Sequence, residues 1–358
     1  MTSADLRLQR LTHWLETDLG RRIERIAVAS ADASFRRYFR AWDVDGASFV
    51  VMDAPPDKED IRPYLHVARL LQSTGVHVPH VYDADLVDGF VLLEDLGSTP
   101  LLSQLATPSR VEPLYADALA ALARIQSRGG EAARELAPYD AAVLEREMGL
   151  MPEWFCARHL GLALGDSDLG LLRATFDRLI AEALAQPVVF VHRDYHSRNL
   201  MVIAEGNPGI IDFQDALAGP VGYDLASLLK DCYVAWPRER VEGWVQSYRG
   251  RLRQAGFPAG TGSSEGEFLR WFDMIGVQRH VKVLGIFARL WYRDGKPGYL
   301  ADLPLTLDYV RGACRRYPEF AEFSNWLESR VVPAFERVNP AAIAAAAAQA
   351  RSGAHPSV

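Results

Sequence analysis

The stretch that decides the fold lies just past the middle of the chain and reads Val191-His192-Arg193-Asp194-Tyr195-His196-Ser197-Arg198-Asn199-Leu200. An apolar strand leads into a loop here, and Asn199 follows Asp194 by five positions. A second apolar run, residues 209–211, leads into Asp212, thirteen positions after Asn199. Oxygen-bearing side chains that follow two apolar strands are typical of a magnesium site, because Mg²⁺ takes few protein ligands and completes its shell with phosphates and water.

A second interpretation of the same residues is purely structural. Asp and Asn are common turn and capping residues, so an H-x-D-x-x-x-x-N pattern carries little weight on its own. Asp212 follows at a matching distance, and both stretches lie between apolar runs. We therefore favour the catalytic interpretation.

The pattern resembles the catalytic loop of the aminoglycoside phosphotransferase-like branch of the protein-kinase-like fold. The resemblance implies that Asp194 orients the acceptor hydroxyl and accepts its proton, and that Asn199 and Asp212 hold Mg²⁺ against the phosphates of ATP. It also implies supporting roles for His192 and for Asp224, whose carboxylate hydrogen-bonds the loop backbone in this family. Asp224 could equally interact with the dipole of the helix that it opens.

The hydrophobic pattern divides the chain into two regions. The first 95 residues predict a small antiparallel sheet with one main helix: strands over 23–30, 35–42, 48–52, 78–83 and 90–94, and a helix over 57–74. From residue 101 the pattern predicts helices over 114–126, 141–150, 169–185, 223–233, 268–292 and 305–315, with a surface loop over 258–267.

Together with the resemblance, this pattern predicts an α+β, bilobal protein-kinase-like fold. A small N-lobe of antiparallel sheet and one main helix, residues 1–95, is expected to cover the nucleotide. A larger, mostly helical C-lobe, residues 96–337, is expected to carry the catalytic and acceptor-binding residues. Residues 338–358 are expected to form an Ala-rich flexible tail.

The N-lobe resembles the family in two further places. The segment between the first two strands stands where the family has its phosphate-covering loop, and residues 94–97 stand at the interlobe hinge. The resemblance implies nucleotide contacts by Ser34, Phe35, Arg36, Met52, Glu94 and Leu96.

Met52 is a departure from the family, because it occupies the strand position that usually holds a phosphate-pairing Lys. The chain is then either a nucleotide-binding pseudokinase or an active enzyme that uses another cation. Arg36, Arg37 and Arg40 are candidates, unless they form a solvated strand face; strand alternation places Arg36 and Arg40 on one face and Arg37 on the other. We favour an active enzyme, because the base and metal positions are all retained.

Three further segments, residues 33–40, 151–155 and 278–287, resemble a narrower group. They are similar to the bacterial anomeric sugar kinases of cell-wall recycling, and the likeness extends over nearly the whole chain, to about residue 337. This resemblance implies ATP-dependent phosphorylation of the C1 hydroxyl of N-acetylmuramate and N-acetylglucosamine, in peptidoglycan recycling. An aminoglycoside or another small-molecule hydroxyl is the alternative acceptor.

The acceptor contacts are expected among Arg279, His280, Trp154 and His196. Arg279 and His280 belong to a basic helical stretch that suits a neutral or anionic acceptor better than a polycationic aminoglycoside. Each residue also has a packing interpretation: a charged helix face for Arg279 and His280, core packing for Trp154 and loop packing for His196.

Composition limits the partners of the chain. A formal net charge of −7 over 358 residues argues against a broad nucleic-acid surface. No apolar stretch approaches the ~18 residues of a membrane helix, and residues 1–10 lack the apolar core of a secretory signal. The three cysteines show no disulfide or zinc spacing, which favours a reducing compartment. We expect a cytoplasmic monomer that uses ATP, Mg²⁺ and a small sugar, with no nucleic acid and no membrane as partner.

Overall fold

The computed structural model describes residues 5–31 and 35–339, which form two compact units. The first unit contains the described residues of Met1–Thr99 and Met201–Asp215; the second contains those of Pro100–Leu200 and Ala216–Val358. Met201–Asp215, predicted as part of the C-lobe, belongs to the first unit, where the Ile210 amide donates to the His77 carbonyl at 2.8 Å. Residues 340–358 of the predicted tail lie outside the described residues.

The first unit is built on a five-stranded antiparallel sheet. Its strands are β1 (Ile23–Ala31), β2 (Arg37–Asp43), β3 (Ser48–Asp53), β4 (Val81–Asp85) and β5 (Phe90–Glu94), in the spatial order β1-β2-β3-β5-β4. The sheet is accompanied by α1 (Leu6–His13), which continues as a π-helical turn over Trp14–Asp18, and by α2 (Arg62–Ser73). Helix α2 begins later than predicted, because the Asp60 carboxylate accepts the Arg62 amide at 3.0 Å and Pro63 occupies the first turn.

The two faces of this sheet have different surroundings. One face packs on α1, and the shared core consists of Leu11, Trp14, Leu15, Phe39, Ala41, Phe49, Val51, Phe90 and Leu92. Side chains alternate along a strand, so Tyr38, Arg40 and Met52 lie on the opposite face. The β2–β3 register pairs Tyr38 with Met52. The Met52 position, predicted to correspond to the family lysine, therefore lies on the face of the sheet that points away from α1.

The second unit is mostly helical. Its helices are α3 (Leu101–Gln104), α4 (Pro108–Arg128), α5 (Gly130–Arg134), α6 (Ala141–Met148), α7 (Asp166–Leu184), α8 (Gly222–Leu229), α9 (Arg238–Gln254), α10 (Pro258–Thr261), α11 (Glu265–Tyr292), α12 (Leu303–Cys314), α13 (Ala321–Trp326) and α14 (Val332–Val338). Met151–His159 and Leu327–Val331 are π-helical, and Pro297–Asp302 and Pro318–Phe320 are 3₁₀-helical. Within this unit, strand β6 (Val188–Val191) pairs with β9 (Leu217–Pro220). The short strand β8 (Gly209–Ile210), which pairs with β7 (Leu200–Met201), belongs to the first unit. The predicted α+β class is confirmed.

Several stretches depart from the predicted elements. The long helix α9 is missing from the predicted set, and so are the short helices α3, α5, α13 and α14. Residues 258–267, predicted as a surface loop, contain α10 and the first turn of α11. The Ser264 hydroxyl caps α11 by accepting the Glu267 amide at 3.1 Å, so the Ser-rich composition marks a helix start here.

Helix α11 is buried over much of its length and passes very close to the end of α6. A Cβ atom at Gly285 would lie 2.4 Å from the carbonyl carbon of Leu150, closer than atoms can approach. Glycine at this position therefore allows the contact between the two quoted segments around residues 151–155 and 278–287.

Asp273 on α11 is fully buried and is neutralised by several donors. It accepts from Lys230 Nζ at 2.8 Å, from Arg238 Nη1 at 2.6 Å and from the Tyr317 hydroxyl at 2.9 Å. Burial raises its pKa, but Lys230 and Arg238 outweigh burial and hold the pKa of Asp273 below its ordinary value of 3.8. Asp273 therefore links α11 to the residues that flank α8, α9 and α12.

We expect Asp273→Asn to lower the free energy of unfolding near neutral pH by about 3–5 kcal/mol, because Lys230 would stay buried without its counter-charge. The folded-state pKa is depressed, so the wild-type advantage is present above the unfolded pKa and is lost as the pH falls through the folded value. The difference should therefore narrow below about pH 4. Urea denaturation near neutral pH and below about pH 4 measures the difference in the free energy of unfolding. Asp308→Asn, on an exposed helix surface, is the control. Equal midpoints for Asp273→Asn and wild type at neutral pH would contradict the prediction.

Candidate active site

The loop that follows β6 is held by the first turn of α8. Asp224 is fully buried, and its carboxylate accepts the backbone amides of His192 at 2.7 Å and Arg193 at 3.0 Å. Burial raises the pKa of Asp224 to about 7, and the two amide donors oppose that shift. The carboxylate thus satisfies two amides that the end of the strand would otherwise leave without acceptors.

Arg193 has a left-handed backbone conformation, with φ of 77°, and Asp212 has φ of 63°. Within residues 5–31 and 35–339, these two are the non-glycine residues with positive φ. Such conformations are costly for residues with a Cβ atom, and they persist where surrounding contacts enforce them, commonly at functional sites. The structure therefore marks both loops that the sequence analysis singled out.

Asp194 stands at the centre of the loop and is half-buried. Its amide donates to His192 Nδ1 at 3.2 Å, and its carbonyl accepts the amide of His196 at 3.0 Å. Burial raises the pKa of Asp194, but the basic side chains of His196, Lys282 and Arg193 together lower it below its ordinary value. The carboxylate is therefore ionised at neutral pH and can act as a proton acceptor.

A buried network of charges surrounds Asp194. Lys282 Nζ of α11 lies 2.8 Å from Glu147 Oε1 and 3.1 Å from the Tyr223 hydroxyl, and Arg193 Nη2 lies 2.5 Å from the same Glu147 oxygen. Burial raises the pKa of Glu147, but Lys282 and Arg193 outweigh burial, so the pKa lies below its ordinary value. Two cations, Lys282 and Arg193, thus share the one carboxylate of Glu147. The side chains around Asp194 therefore carry more positive than negative charge.

The second half of the loop is held by Asp231, a residue outside the predicted site. Its carboxylate accepts both the amide, at 3.0 Å, and the hydroxyl, at 2.5 Å, of Ser197. Asn199 then donates its side-chain nitrogen to the Asp194 carbonyl at 3.0 Å. This bond uses the amide nitrogen of Asn199, and the amide oxygen is the atom suited to a metal ion.

Asp212 belongs to the first unit and directly follows β8 and Ile211. Gln214 Nε2 donates to Asp212 Oδ1 at 2.8 Å. The neighbouring Phe213 is fully buried, and its ring packs on the ring of Tyr64 with centroids 4.8 Å apart. This packing fixes the backbone that carries Asp212.

The predicted nucleotide contacts of the first unit have different surroundings. Ser34 lies outside the described residues. Phe35 is 64% exposed, whereas Met52 is fully buried in β3. Arg36 is half-buried, and its Nη2 lies 3.4 Å from the Glu59 carboxylate.

The predicted hinge is a network of polar contacts at the end of β5. The Glu94 carboxylate lies 3.0 Å from His77 Nε2, and its backbone amide donates to the His80 carbonyl at 2.9 Å. An adenine contact by Glu94 would therefore use its carbonyl oxygen. Leu96 is buried against Gly209, where an added Cβ atom would lie 2.7 Å from Leu96 Cδ1.

The predicted acceptor residues fall into two groups: Arg279 and His196 act on Asp194, whereas His280 and Trp154 are held in helix and core packing. Arg279 is buried with Nη1 3.7 Å from Cys232 Sγ, and it is one of the charges that lower the pKa of Asp194; His196 is half-buried, edge-on to the Tyr233 ring at 5.5 Å. The ring of His280 is buried with its two nitrogens against the backbone carbonyls of Gly276 and Lys230. Burial lowers the pKa of His280 to about 3, so this ring is neutral.

His280 is therefore left out of the proposed acceptor contacts, because helix packing occupies both of its ring nitrogens. Trp154 packs against the hydrophobic core of the second unit, and the guanidinium of Arg158 lies 4.8 Å from its ring centroid. Trp154 is half-buried, so part of its ring surface stays accessible.

A five-stranded antiparallel unit, a mostly helical unit and an ionised aspartate on a pinned loop after a strand define a protein of the kinase-like class. The fold is similar to that of a choline/ethanolamine kinase family protein from Mesorhizobium loti, with a TM-score of 0.59 and 14% identity, over 89% of this chain and 98% of that one. Residues 25–262 match the family described as the phosphotransferase enzyme family.

Two relatives are much closer in sequence. The N-acetylmuramate/N-acetylglucosamine kinase of Pseudomonas aeruginosa is 47% identical, over 91% of this chain and 98% of its own length. The protein of that name from Neisseria meningitidis serogroup B is 45% identical, over 87% of this chain and 92% of its own length. The chain belongs to the phosphotransferase enzyme family.

The chain is accordingly an enzyme of the small-molecule kinase type, with ATP as co-substrate. This favours the active enzyme over the pseudokinase that Met52 left open. Among the described residues, no helix combines the length and the apolar character that crossing a membrane requires.

Proposed function

We propose that this enzyme transfers the γ-phosphoryl group of ATP to the anomeric hydroxyl of N-acetylmuramate and of N-acetylglucosamine, in peptidoglycan recycling. The observation that carries the phosphoryl transfer is the placement of Asp194 on a loop whose His192 and Arg193 amides are held by the buried Asp224 carboxylate. The two named relatives support the acceptor, because their identity to this chain extends over almost its whole length.

Asp194 is the proposed general base. It accepts a hydrogen bond from the C1 hydroxyl, orients that oxygen in line with the γ-phosphorus atom, and takes the proton as the new P–O bond forms and the bond to the β-phosphate oxygen breaks. Phosphoryl transfer depends mainly on positioning and charge neutralisation. A rigid loop with an ionised carboxylate supplies the first of these.

Asn199 and Asp212 are the proposed Mg²⁺ ligands. An amide oxygen and a carboxylate are hard oxygen donors, and two of them suit a site that phosphates and water complete. When bound, the ion would neutralise charge on the β- and γ-phosphates. We also propose that the first unit binds the nucleotide through Ser34, Phe35, Arg36, Met52, Glu94 and Leu96, and that the second unit binds the acceptor.

The charges around Asp194 favour a neutral or anionic acceptor. Lys282, Arg193 and Arg279 all act on this carboxylate. A polycationic aminoglycoside would be repelled by them, whereas the lactyl carboxylate of N-acetylmuramate would be attracted. We propose Arg279, Trp154 and His196 as acceptor contacts, with Arg279 the source of this preference.

We further propose a cytoplasmic monomer with no nucleic-acid or membrane partner. The three cysteines, Cys156, Cys232 and Cys314, are buried and unpaired, as is usual in a reducing compartment. A chain with a net charge of −7 repels anions overall. Small anionic substrates would therefore be bound by local basic side chains, such as those around Asp194.

An acceptor panel tests the proposed function. We expect ADP release from ATP and Mg²⁺ with N-acetylmuramate and N-acetylglucosamine, and none above background with kanamycin or choline. The methyl glycoside of N-acetylglucosamine is the matched control, because it differs in lacking a C1 hydroxyl. Turnover of kanamycin above that of both sugars, or equal turnover of the methyl glycoside, would contradict the proposal.

A further inference from the structure

A kinase of this fold needs a cation on the nucleotide-binding sheet, and the expected strand position is occupied by Met52. Met52 is fully buried in β3 and pairs with Tyr38 of β2. A thioether cannot neutralise phosphate charge. The positive charge is therefore expected from another residue on the face of the sheet that points away from α1.

We propose that Arg36, paired with Glu59, is the cation that binds the nucleotide phosphates in place of the strand lysine. The proposal rests on the proposed ATP-dependent phosphoryl transfer. Arg36 directly precedes β2, and it lies two residues before Tyr38, so an extended backbone places it on the same face as Tyr38 and Met52.

Arg37 is excluded by its partners. Its side chain donates to the buried Asp53 carboxylate, with Nε 3.0 Å from Oδ2, and also to Asp5. Asp53 in addition accepts from Arg7 Nε at 2.7 Å, so this cluster ties α1 to β2 and β3. Removing Arg37 from it would leave a buried carboxylate less well compensated.

Arg40 is excluded by its position as well as by its partners. Its Nη2 donates to Asp95 Oδ1 at 2.9 Å and to the Gly97 carbonyl at 2.8 Å. These contacts hold the Arg40 side chain, which starts from the middle of β2, against the residue 94–97 segment. Arg40 therefore stabilises the predicted hinge.

Arg36 has a contact of a different kind. Its Nη2 lies 3.4 Å from Glu59 Oε2, and the side chains are 15% and 21% exposed, so solvent and ligands can reach the pair. A guanidinium has five N–H donors in a planar fork. Arg36 faces Glu59 and also hydrogen-bonds to Tyr38. A nucleotide phosphate would join or replace these contacts in the bidentate geometry for which arginine is best suited.

The surroundings of Arg36 link it to the loop that carries the proposed metal ligand. Burial lowers the pKa of Arg36, but the nearby Tyr38, Glu59 and Asp215 outweigh burial and raise the pKa above its ordinary value. The guanidinium therefore stays charged. The buried Tyr64 experiences Arg36 and Asp212 together: burial raises its pKa, as Asp212 does, while Arg36 lowers it. Arg36 and Asp212 thus act within one electrostatic neighbourhood of the first unit.

Glu59 takes the place of the helix carboxylate that pairs with the lysine in the kinase template. It lies just before α2 instead of within it. Its role is positioning: it holds the long Arg36 side chain in one orientation before the nucleotide binds, which lowers the conformational cost of binding.

Arg36→Met tests the proposal through nucleotide binding. Calorimetry of the full chain with Mg²⁺-ATP and, separately, with adenosine distinguishes a phosphate contact from a general loss of the site. We expect Arg36→Met to weaken ATP binding by about 10- to 100-fold, the usual effect of losing a hydrogen bond to a charged group, and to leave adenosine binding unchanged. Arg36→Lys should recover part of the ATP affinity, because it retains the charge without the fork.

Arg22→Met is the matched control, since Arg22 is exposed and pairs with Asp45 at a surface turn. It should bind both ligands as wild type does. Unchanged ATP affinity in Arg36→Met would overturn the proposal, as would an equal loss of ATP and adenosine binding. Neither readout involves the acceptor, so failure of the acceptor panel with this pattern intact would overturn the sugar assignment alone.

Discussion

Asp194→Asn is expected to lower kcat by a factor of about 10²–10⁴, the range usually supplied by a general base, while leaving ATP affinity within about twofold of wild type. Asparagine has nearly the size of aspartate and can still accept a hydrogen bond, but it cannot take the proton of the C1 hydroxyl. The pKa of Asp194 is lowered, so the wild-type carboxylate is ready as a base throughout the neutral range. Coupled ADP-release kinetics and calorimetry measure the two quantities.

Asp177→Asn provides the control for this substitution, because Asp177 is an exposed residue of α7 in the same unit. It should retain wild-type kcat. If Asp194→Asn retained more than about a tenth of wild-type kcat, the assignment of Asp194 as the base would be wrong.

Asp212→Asn is expected to reduce kcat by at least about 10²-fold at low millimolar Mg²⁺ and to raise the Mg²⁺ concentration for half-maximal rate. The proposed ligand pair contains one carboxylate, and its replacement removes the charge that attracts a divalent ion. Higher Mg²⁺ should recover part of the rate, because the amide oxygen remains a weaker ligand. A Mg²⁺ titration of initial rates at saturating ATP measures both effects.

The matched control is Asp45→Asn, an exposed residue of the β2–β3 turn in the same unit. Its Mg²⁺ dependence should match that of wild type. A wild-type Mg²⁺ titration for Asp212→Asn would show that the ion, if used, is held elsewhere.

The sheet of the first unit could be predicted because its signals are local. Alternation of apolar residues and the two Asp-Gly turns, at Asp45 and Asp88, predicted hairpins between the strands that the structure shows as β2–β3 and β4–β5. The boundaries moved by several residues at α2, where Pro63 in the first turn and the Asp60 carboxylate that accepts the Arg62 amide mark the helix start.

Helix α9 has a helical pattern in its sequence, although the helix was not predicted. Its buried residues Val241, Trp244, Val245, Tyr248 and Leu252 recur at the spacing of one helical face. The many arginines between them obscured this face, since the helix is otherwise strongly polar. Pro237 directly before the helix was a second available signal.

The catalytic loop itself was visible in the sequence, but its supports were not. Lys282 and Glu147 are 135 residues apart, and Ser197 and Asp231 are 34 apart. Neither Glu147 nor Asp231 differs in local pattern from neighbouring carboxylates, because their partners are chosen by the packing of helices and not by spacing. The pinning of the loop by Asp224 was anticipated only through family resemblance.

The surroundings of Arg279 and His280 also show what residue type alone does not predict. Arg279 and His280 are adjacent on α11, yet helix geometry directs them to different neighbours. Arg279 acts on Asp194, whereas the nitrogens of His280 lie against backbone carbonyls. Periodicity could have separated the two only if the orientation of α11 were known.

The position of the new phosphate tests the central claim most directly. With N-acetylglucosamine carrying ¹³C at C1, ATP and Mg²⁺, the account predicts a product whose C1 signal is split by coupling to ³¹P and whose phosphate is released by mild acid. An acid-stable product with no ¹³C1–³¹P coupling, phosphorylated at another hydroxyl, would contradict it.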